Sequence, residues 1–442
     1  MTDTPTPCDL LIEAGFVVPI EPHGVVLDDH AVAVRAGVIV DVLPITAARA
    51  KYAAKETVSR PDAVLMPGFV NAHTHNPMTL LRGIADDLPL MTWLQQHIWP
   101  AEARVMSPEY VRDGATLAVA EMLRGGTTCC NENYFFPDVQ AQTYHKLGFR
   151  AMVGLPVIDF PTAWAKSDDE YFERAGEVHD QWRDDAFIGT AFAPHAPYTV
   201  SDASFERLRM LSDQLDIPVH CHVHETVQEV EDSLKLHGQR PLARLDRLGV
   251  VNDRLIAVHM TQLTDAEIRL CAERGTSVVH CPESNMKLAS GFCPVEKLVR
   301  SGVNVAIGTD GAASNNDLDM FGETRTAALL AKAVANDAAA FGAADALRAA
   351  TLGSAHALGW GDRIGSIEVG KQADLALVDL SAIETQPLFH VLSQLVYACG
   401  RQQVSDVWIA GRRKLADRVL VEMDIDAIRA NARQWRDHIG VQ

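Results

Sequence analysis

Long apolar runs are missing from this chain: no stretch approaches the roughly 20 consecutive apolar residues of a membrane-spanning helix, so no span is expected. Positive charge is scarce as well. Against 58 Asp and Glu stand 39 Lys and Arg, a formal net charge of −19. Electrostatic capture of nucleic acid or of an anionic membrane needs clustered Lys and Arg, so neither is expected as a partner. The eight cysteines contain no CxxC pair, and Cys221, Cys271 and Cys281 lie in apolar runs, where a reduced thiol acts as a small hydrophobe. Residues 1–8 carry neither the basic nor the apolar region of a signal peptide. A cytoplasmic location is the simplest expectation.

What the chain does have is material for a large core. Apolar residues make up 48% of its 442 positions, which excludes wholesale disorder. At about 150 residues per domain the length suggests two or three units, or one large α/β barrel with a smaller appendage. Residues 8–66 read as short β-rich runs broken by Gly and Pro, clearest at Asp9-Leu-Leu-Ile12, Ala31-Val-Ala-Val34 and Gly37-Val-Ile-Val40. Residues 366–420 share that texture, as in Asp406-Val-Trp-Ile-Ala-Gly-Arg412. The two ends, 1–66 and 366–442, are expected to build one small β-sandwich domain with a C-terminal helix.

Between them the rhythm changes. Strand-like apolar runs fall at 65–70, 127–131, 150–158, 187–192, 217–222, 255–259, 276–280 and 303–307, and helical patterns separate them. Ser107-Pro108 is an N-cap with Pro at the first helical position, opening a helix that runs to Gly125-Gly126. Thr264-Asp-Ala-Glu267 is a capping box whose helix stops at Gly275. Phe205, Leu208, Leu211 and Leu215 give another helix its apolar stripe. Strands apolar on both faces, alternating with helices, indicate a parallel sheet covered by helices. Eight repeats favour a closed (β/α)8 TIM barrel over 67–365, with a doubly wound open sheet as the other solution.

A barrel enzyme keeps its chemistry at the C-terminal ends of its strands. The first run ends Asn71-Ala-His-Thr-His75, and residues i and i+2 of a strand point to one side, so both imidazoles can reach one metal. The fifth run ends His220-Cys-His-Val-His-Glu225, the sixth ends at His259, and the eighth ends Gly308-Thr-Asp310. With 17 histidines in the chain, any single one is more often a surface or core residue than a ligand. The combination of His-x-His with His, His and Asp at four strand ends is much harder to reach by accident.

Pro67-Gly-Phe-Val-Asn-Ala-His-Thr-His75 followed by Pro77-Met-Thr-Leu-Leu-Arg-Gly83 resembles the amidohydrolase superfamily. Within it the chain is similar, nearly end to end, to the 5′-methylthioadenosine/S-adenosylhomocysteine deaminase group, relatives of the triazine hydrolases. His222-Val-His-Glu225, Ser284-Asn-Met-Lys-Leu288, Gly308-Thr-Asp-Gly-Ala-Ala-Ser-Asn-Asn316 and Gly370-Lys-Gln-Ala-Asp374 all match. The resemblance implies a metal held by His73, His75, His222 and Asp310. It implies catalytic roles for Glu225, which would protonate a ring nitrogen, for His259, which would orient the attacking water, and for Asp310, which would take that water's proton. Glu102 matches the carboxylate that holds the ribose hydroxyls, and His195 the strand-four histidine that touches the nucleoside. Trp93 could stack on a base or simply fill the core.

The bridging carboxylated Lys of two-metal relatives, at the end of strand four, has no counterpart, since no Lys occurs between Lys166 and Lys235. One metal is therefore expected; imidazole and carboxylate ligands suit Zn²⁺ best and admit Fe²⁺ or Mn²⁺. A different deaminase fold, marked by H-x-E and P-C-x-x-C, is excluded because the second motif is absent. His220 and His224 could share the barrel interior with His222 or be bland. The same choice applies to His280 and to Ser314, Asn315 and Asn316. In one departure, the segment Asp159-Phe-Pro-Thr-Ala-Trp-Ala165 lacks the arginines that in some relatives meet the tail of S-adenosylhomocysteine, so a thioether or plain nucleoside tail is expected.

The activity implied is hydrolytic deamination of an adenosine-type nucleoside to the inosine derivative and ammonia. A triazine chloro- or aminohydrolase or a guanine or cytosine deaminase is the alternative, and an inactive barrel used as a scaffold is remote, because no metal ligand is lost. A small-molecule nucleoside is the partner expected, and the oligomeric state, homo-oligomer included, is left open.

Overall fold

The computed structural model describes residues 5–440 and holds two sheets of eight strands each. The chain opens with β1 (Thr6–Val17), β2 (Leu27–Arg35), β3 (Val38–Pro44) and β4 (Tyr52–Pro67). It then lays down β5 (Phe69–Thr74), β6 (Thr127–Glu132), β7 (Arg150–Val157), β8 (Ile188–Pro194), β9 (Val219–Val223), β10 (Leu255–His259), β11 (Ser277–His280) and β12 (Val305–Ile307). These eight are neighbours in sequential order and all parallel. The chain returns with β13 (Leu375–Asp379), β14 (Val404–Ile409), β15 (Arg412–Ala416) and β16 (Val419–Leu420). They join the first four in the order β16-β15-β14-β13-β4-β1-β2-β3.

The barrel closes between its first and last strands without a regular ladder. Asp310 N–H donates to the His73 carbonyl at 3.0 Å, and the Asn71 amide bridges Thr309, donating to its hydroxyl at 2.7 Å and accepting its N–H at 3.0 Å. The strands come so near that a Cβ on Gly308 would lie 2.7 Å from the His73 nitrogen, so glycine is required there. The run at 65–70, expected as one strand, is divided. β4 ends at Pro67 and β5 begins at Phe69, because a Cβ on Gly68 would meet Thr128 side-chain atoms at 2.2 Å. Only glycine lets the chain cross from one sheet to the other at this point.

The first sheet is one continuous sheet folded over on itself. Ile39 N–H reaches the Lys371 carbonyl at 2.9 Å and Gly411 N–H the Ala373 carbonyl at 3.0 Å, closing it over Ile12, Val32, Leu65, Leu377 and Trp408. A buried ion pair fastens it to the barrel: Arg150 on β7 gives Asp374 two hydrogen bonds, at 2.6 and 3.1 Å. The caps fall where the sequence puts them. Ser107 accepts from Tyr110 N–H ahead of the helix Pro108–Arg124, and Thr264 and Glu267 close a capping box on the helix Asp265–Arg274. The C-terminal helix Ile425–Ile439 lies against the helix Pro108–Arg124, where the Trp435 indole donates to Asp113 at 3.0 Å and meets Tyr110 edge-on. No helix among the described residues is long and apolar enough to cross a membrane.

Candidate active site

His73, His75, His222, Glu225, His259 and Asp310 meet at the same mouth of the barrel, and the convergence is tight. The Nε2 atom of His222 lies 3.3 Å from Nε2 of both His73 and His75. Asp310 Oδ1 lies 3.3 Å from His73 Nε2 and 3.2 Å from His75 Nε2. Nitrogens about 2.0–2.1 Å from one tetrahedral ion stand about 3.3 Å apart, so the spacing is that of a shared cation. At two of the histidines the other ring nitrogen fixes the tautomer. His75 Nδ1 sits 2.5 Å from the Asn133 carbonyl and His222 Nδ1 2.5 Å from the His195 carbonyl, which leaves Nε2 of a neutral ring with its lone pair facing the common point, as a metal ligand needs. His73 Nδ1 lies 2.9 Å from His220 Nε2.

Charge at the centre agrees with this. Burial pushes the His73 imidazole down to about 4 and His222 well below its usual value, so both rings are neutral, the form a metal ligand requires. At His75 burial is outweighed by the Asp310 carboxylate and the value rises to about 9. A positive charge is favoured at this point, and a divalent ion would supply it in place of the proton. Asp310 itself is held low, its burial offset by His73 and His75. Its Oδ2 accepts from the Ser284 hydroxyl at 2.7 Å.

Beside the ligand set stand Glu225 and His259. Glu225 Oε2 is 3.8 Å from His259 Nε2, and His259 Nδ1 is 2.8 Å from the Asn285 side-chain oxygen. Burial raises the Glu225 carboxyl, favouring the protonated form that can donate. Three of these strand-end residues, His224, His259 and Asp310, take left-handed φ of +55°, +74° and +63°. Such strain in non-glycine residues persists only where surrounding contacts over-determine it.

A cavity of about 760 Å³ opens above the centre and is lined by Trp93, Glu102, His195, Glu225 and Asp310 together. His195 is neutral, burial lowering it to about 4, with Nδ1 3.1 Å from the Thr199 hydroxyl. Glu102 accepts a hydrogen bond from the Tyr134 hydroxyl, and burial lifts its carboxyl to about 7. Arg104, the obvious ion-pair partner in sequence, turns instead to the Ile439 carbonyl. Trp93 is buried at the cavity wall with its indole N–H unpaired among the described residues.

The remaining strand-end residues divide. His220 lies inside the barrel against His73, whereas His224 turns away and accepts the Leu242 N–H at 3.1 Å. His280 is buried with neither ring nitrogen partnered among the described residues. Ser314 lines the cavity beside Ser284, while Asn315 bonds to Glu323 and Asn316 to Lys287. Sequence reasoning gave no part to Tyr134 and Asn133, although both directly follow β6 and the strand-end rule would have found them. Asn285 lay inside a quoted motif without a role.

Residues 64–414 match the amidohydrolase family, and the chain belongs to it. It is 46% identical over 442 residues, all of both chains, to a 5-methylthioadenosine/S-adenosylhomocysteine deaminase of Teredinibacter turnerae. Among solved structures, an adenosine deaminase from Xanthomonas campestris with bound zinc is 76% identical, covers 99% of each chain and superposes with a TM-score of 0.98. An atrazine chlorohydrolase from Arthrobacter aurescens, complexed with zinc, is 22% identical over 96% of this chain and 99% of its own. Its TM-score of 0.90 marks a shared fold.

Proposed function

We propose that this chain is a metal-dependent aminohydrolase that converts adenosine-type nucleosides to the corresponding inosines with release of ammonia. The observation that carries the reading is one cavity joining a carboxyl for the sugar, Glu102, to an acid for the ring, Glu225, over a three-histidine, one-aspartate centre. The full-length relative at 46% and the solved structure at 76% identity, both named as deaminases of adenosine compounds, support it. One ion per chain, held by His73, His75, His222 and Asp310, is proposed, with zinc the first choice because that same solved structure carries it.

When bound, a divalent ion there supplies the Lewis acidity that makes water a nucleophile at neutral pH. Asp310 takes the proton released by the attacking water. His259, fixed by Asn285, orients that water toward C6. Attack breaks the ring's aromaticity and puts charge on N1, where the protonated Glu225 delivers its proton. The proton held by Asp310 then goes to the departing amine, the C–N bond breaks to release ammonia, and the C6 hydroxyl proton returns to Glu225 as the carbonyl forms. Each such transfer contributes roughly 10² to 10⁴ in rate. Neutral His195 lines the same wall and can contact the nucleoside, and Trp93 offers an indole face.

The outer wall favours an apolar 5′ substituent. Ile158, Phe160, Pro161 and Ala163 line it, and Lys166, the cation on that side, is turned to the Thr162 carbonyl. Ammonia release measured across adenosine, methylthioadenosine, S-adenosylhomocysteine, guanine and cytosine tests the whole reading. Methylthioadenosine is expected to surpass S-adenosylhomocysteine in kcat/KM, with the free bases inert. Faster turnover of guanine or cytosine than of any nucleoside would refute it.

A further inference from the structure

The turn that presents Glu225 is held by a second buried carboxylate, Glu229, which the chemistry above leaves unused. Glu229 Oε2 accepts the Glu225 N–H at 2.7 Å and Oε1 accepts the His224 N–H at 3.0 Å. On the opposite side of the same peptides, the Thr261 hydroxyl donates to the Glu225 carbonyl at 2.7 Å and Thr261 N–H donates to the His224 carbonyl at 3.0 Å. All four main-chain polar groups of residues 224 and 225 are thereby tied to two residues, one on the following helix Val227–His237 and one just beyond β10. The anchor itself is fixed, since Glu229 N–H bonds to the Thr226 N-cap hydroxyl at 3.1 Å. Without such a grip His224, at φ +55°, would relax toward an ordinary conformation and swing the next side chain away.

We propose that Glu229 and Thr261 are positioning residues that set the reach of Glu225 toward the substrate ring. The assignment rests on Glu225 being the proton donor. Neither residue lines the cavity, so neither would touch substrate or metal. Glu229→Gln keeps the shape but turns an amide N–H₂ toward one of the two peptide donors, and Thr261→Val removes the hydroxyl alone.

The test is a double-mutant cycle on the metal-loaded enzyme, with methylthioadenosine as substrate and bound metal measured on every variant. Glu229→Gln should lower kcat on the order of 10²-fold, the cost of an ångström-scale misplacement, while KM and metal content hold. Thr261→Val should do the same more weakly. On a Glu225→Gln background, itself about 10² to 10⁴ down, either change should cost less than about twofold, because the group being positioned is gone. A penalty that persists in full on that background, or one that falls on KM or on metal content, overturns the proposal. If Glu229→Gln fails to fold, the Thr261→Val cycle decides alone. Wild-type turnover by Glu225→Gln would remove the donor role itself and is read from that single variant, apart from the cycle.

Discussion

Glu102→Ala separates sugar recognition from ring chemistry. The Tyr134 hydroxyl engages one oxygen of Glu102, and no other side chain donates to the carboxylate among the described residues, which leaves the second oxygen for the sugar. One charge-assisted hydrogen bond to a ribose hydroxyl contributes roughly 1.5 to 3 kcal/mol. Truncation should therefore lower kcat/KM for adenosine by about ten- to 150-fold. A loss well above about 150-fold would mean that both hydroxyls share the free oxygen. On 2′,3′-dideoxyadenosine, which has no diol, the same variant should stay within about twofold of the parent enzyme. Initial rates of ammonia release at substrate levels well below KM give both ratios directly. Truncation also strands the buried Tyr134 hydroxyl, so the melting temperature is measured beside the rates, and the dideoxynucleoside rate separates lost recognition from unfolding. Equal losses on the two substrates would make Glu102 a structural residue and remove the main argument for a ribosyl substrate.

Three further outcomes are expected. Elemental analysis of active protein should give one divalent ion per chain, and two tightly bound ions would defeat the single-site assignment. With the Glu102 carboxyl raised to about 7, it is protonated below that pH and offers the sugar charge-assisted hydrogen bonds only above it. The ratio of kcat/KM for adenosine to that for the dideoxynucleoside should thus fall as pH drops through about 7, and a flat ratio from pH 6 to 8 would contradict it. Asp374→Ala strands the buried Arg150 and should cost about 3–5 kcal/mol in denaturant unfolding, with kcat of the folded fraction unchanged; a loss below about 1 kcal/mol would show that the sheet and barrel are held together without the pair.

The sequence was most informative where geometry maps directly onto chain order. A parallel barrel puts each strand's last residues at one mouth, so His73, His75, His222, His259 and Asp310 could be gathered from four separate strand ends without knowing any contact. Helix ends were equally legible, because the N-caps at Ser107 and Thr264 are local chemistry. Glu102 was found only by resemblance. It lies on the helix Trp99–Val105, far from any strand end, and reaches the cavity because the segment after β5 folds back over the barrel.

What escaped is the layer that holds the site in shape. His and Asp adopt a left-handed backbone more readily than most non-glycine residues, yet it remains uncommon for them, and nothing local in the sequence marks His224, His259 and Asp310 as the ones that do. Glu229 and Thr261 hold the main chain at residues 224 and 225, Asn285 holds the His259 ring and Ser284 the Asp310 carboxylate, and of the four only Glu229 is near its target in sequence. Even the neighbouring residues show the difference: Glu225 is conspicuous because it follows a proposed ligand, His222, at a strand end, whereas Glu229, four residues on, looks like an ordinary first-turn helix acid. A first-turn Glu is usually a capping residue, and here too it satisfies main-chain N–H groups, but those N–H groups belong to the residues that aim the acid. The same local rule that makes Glu229 look bland in sequence is what lets it carry out the positioning, so only the hydrogen-bond geometry separates a helix cap from a support of the chemistry.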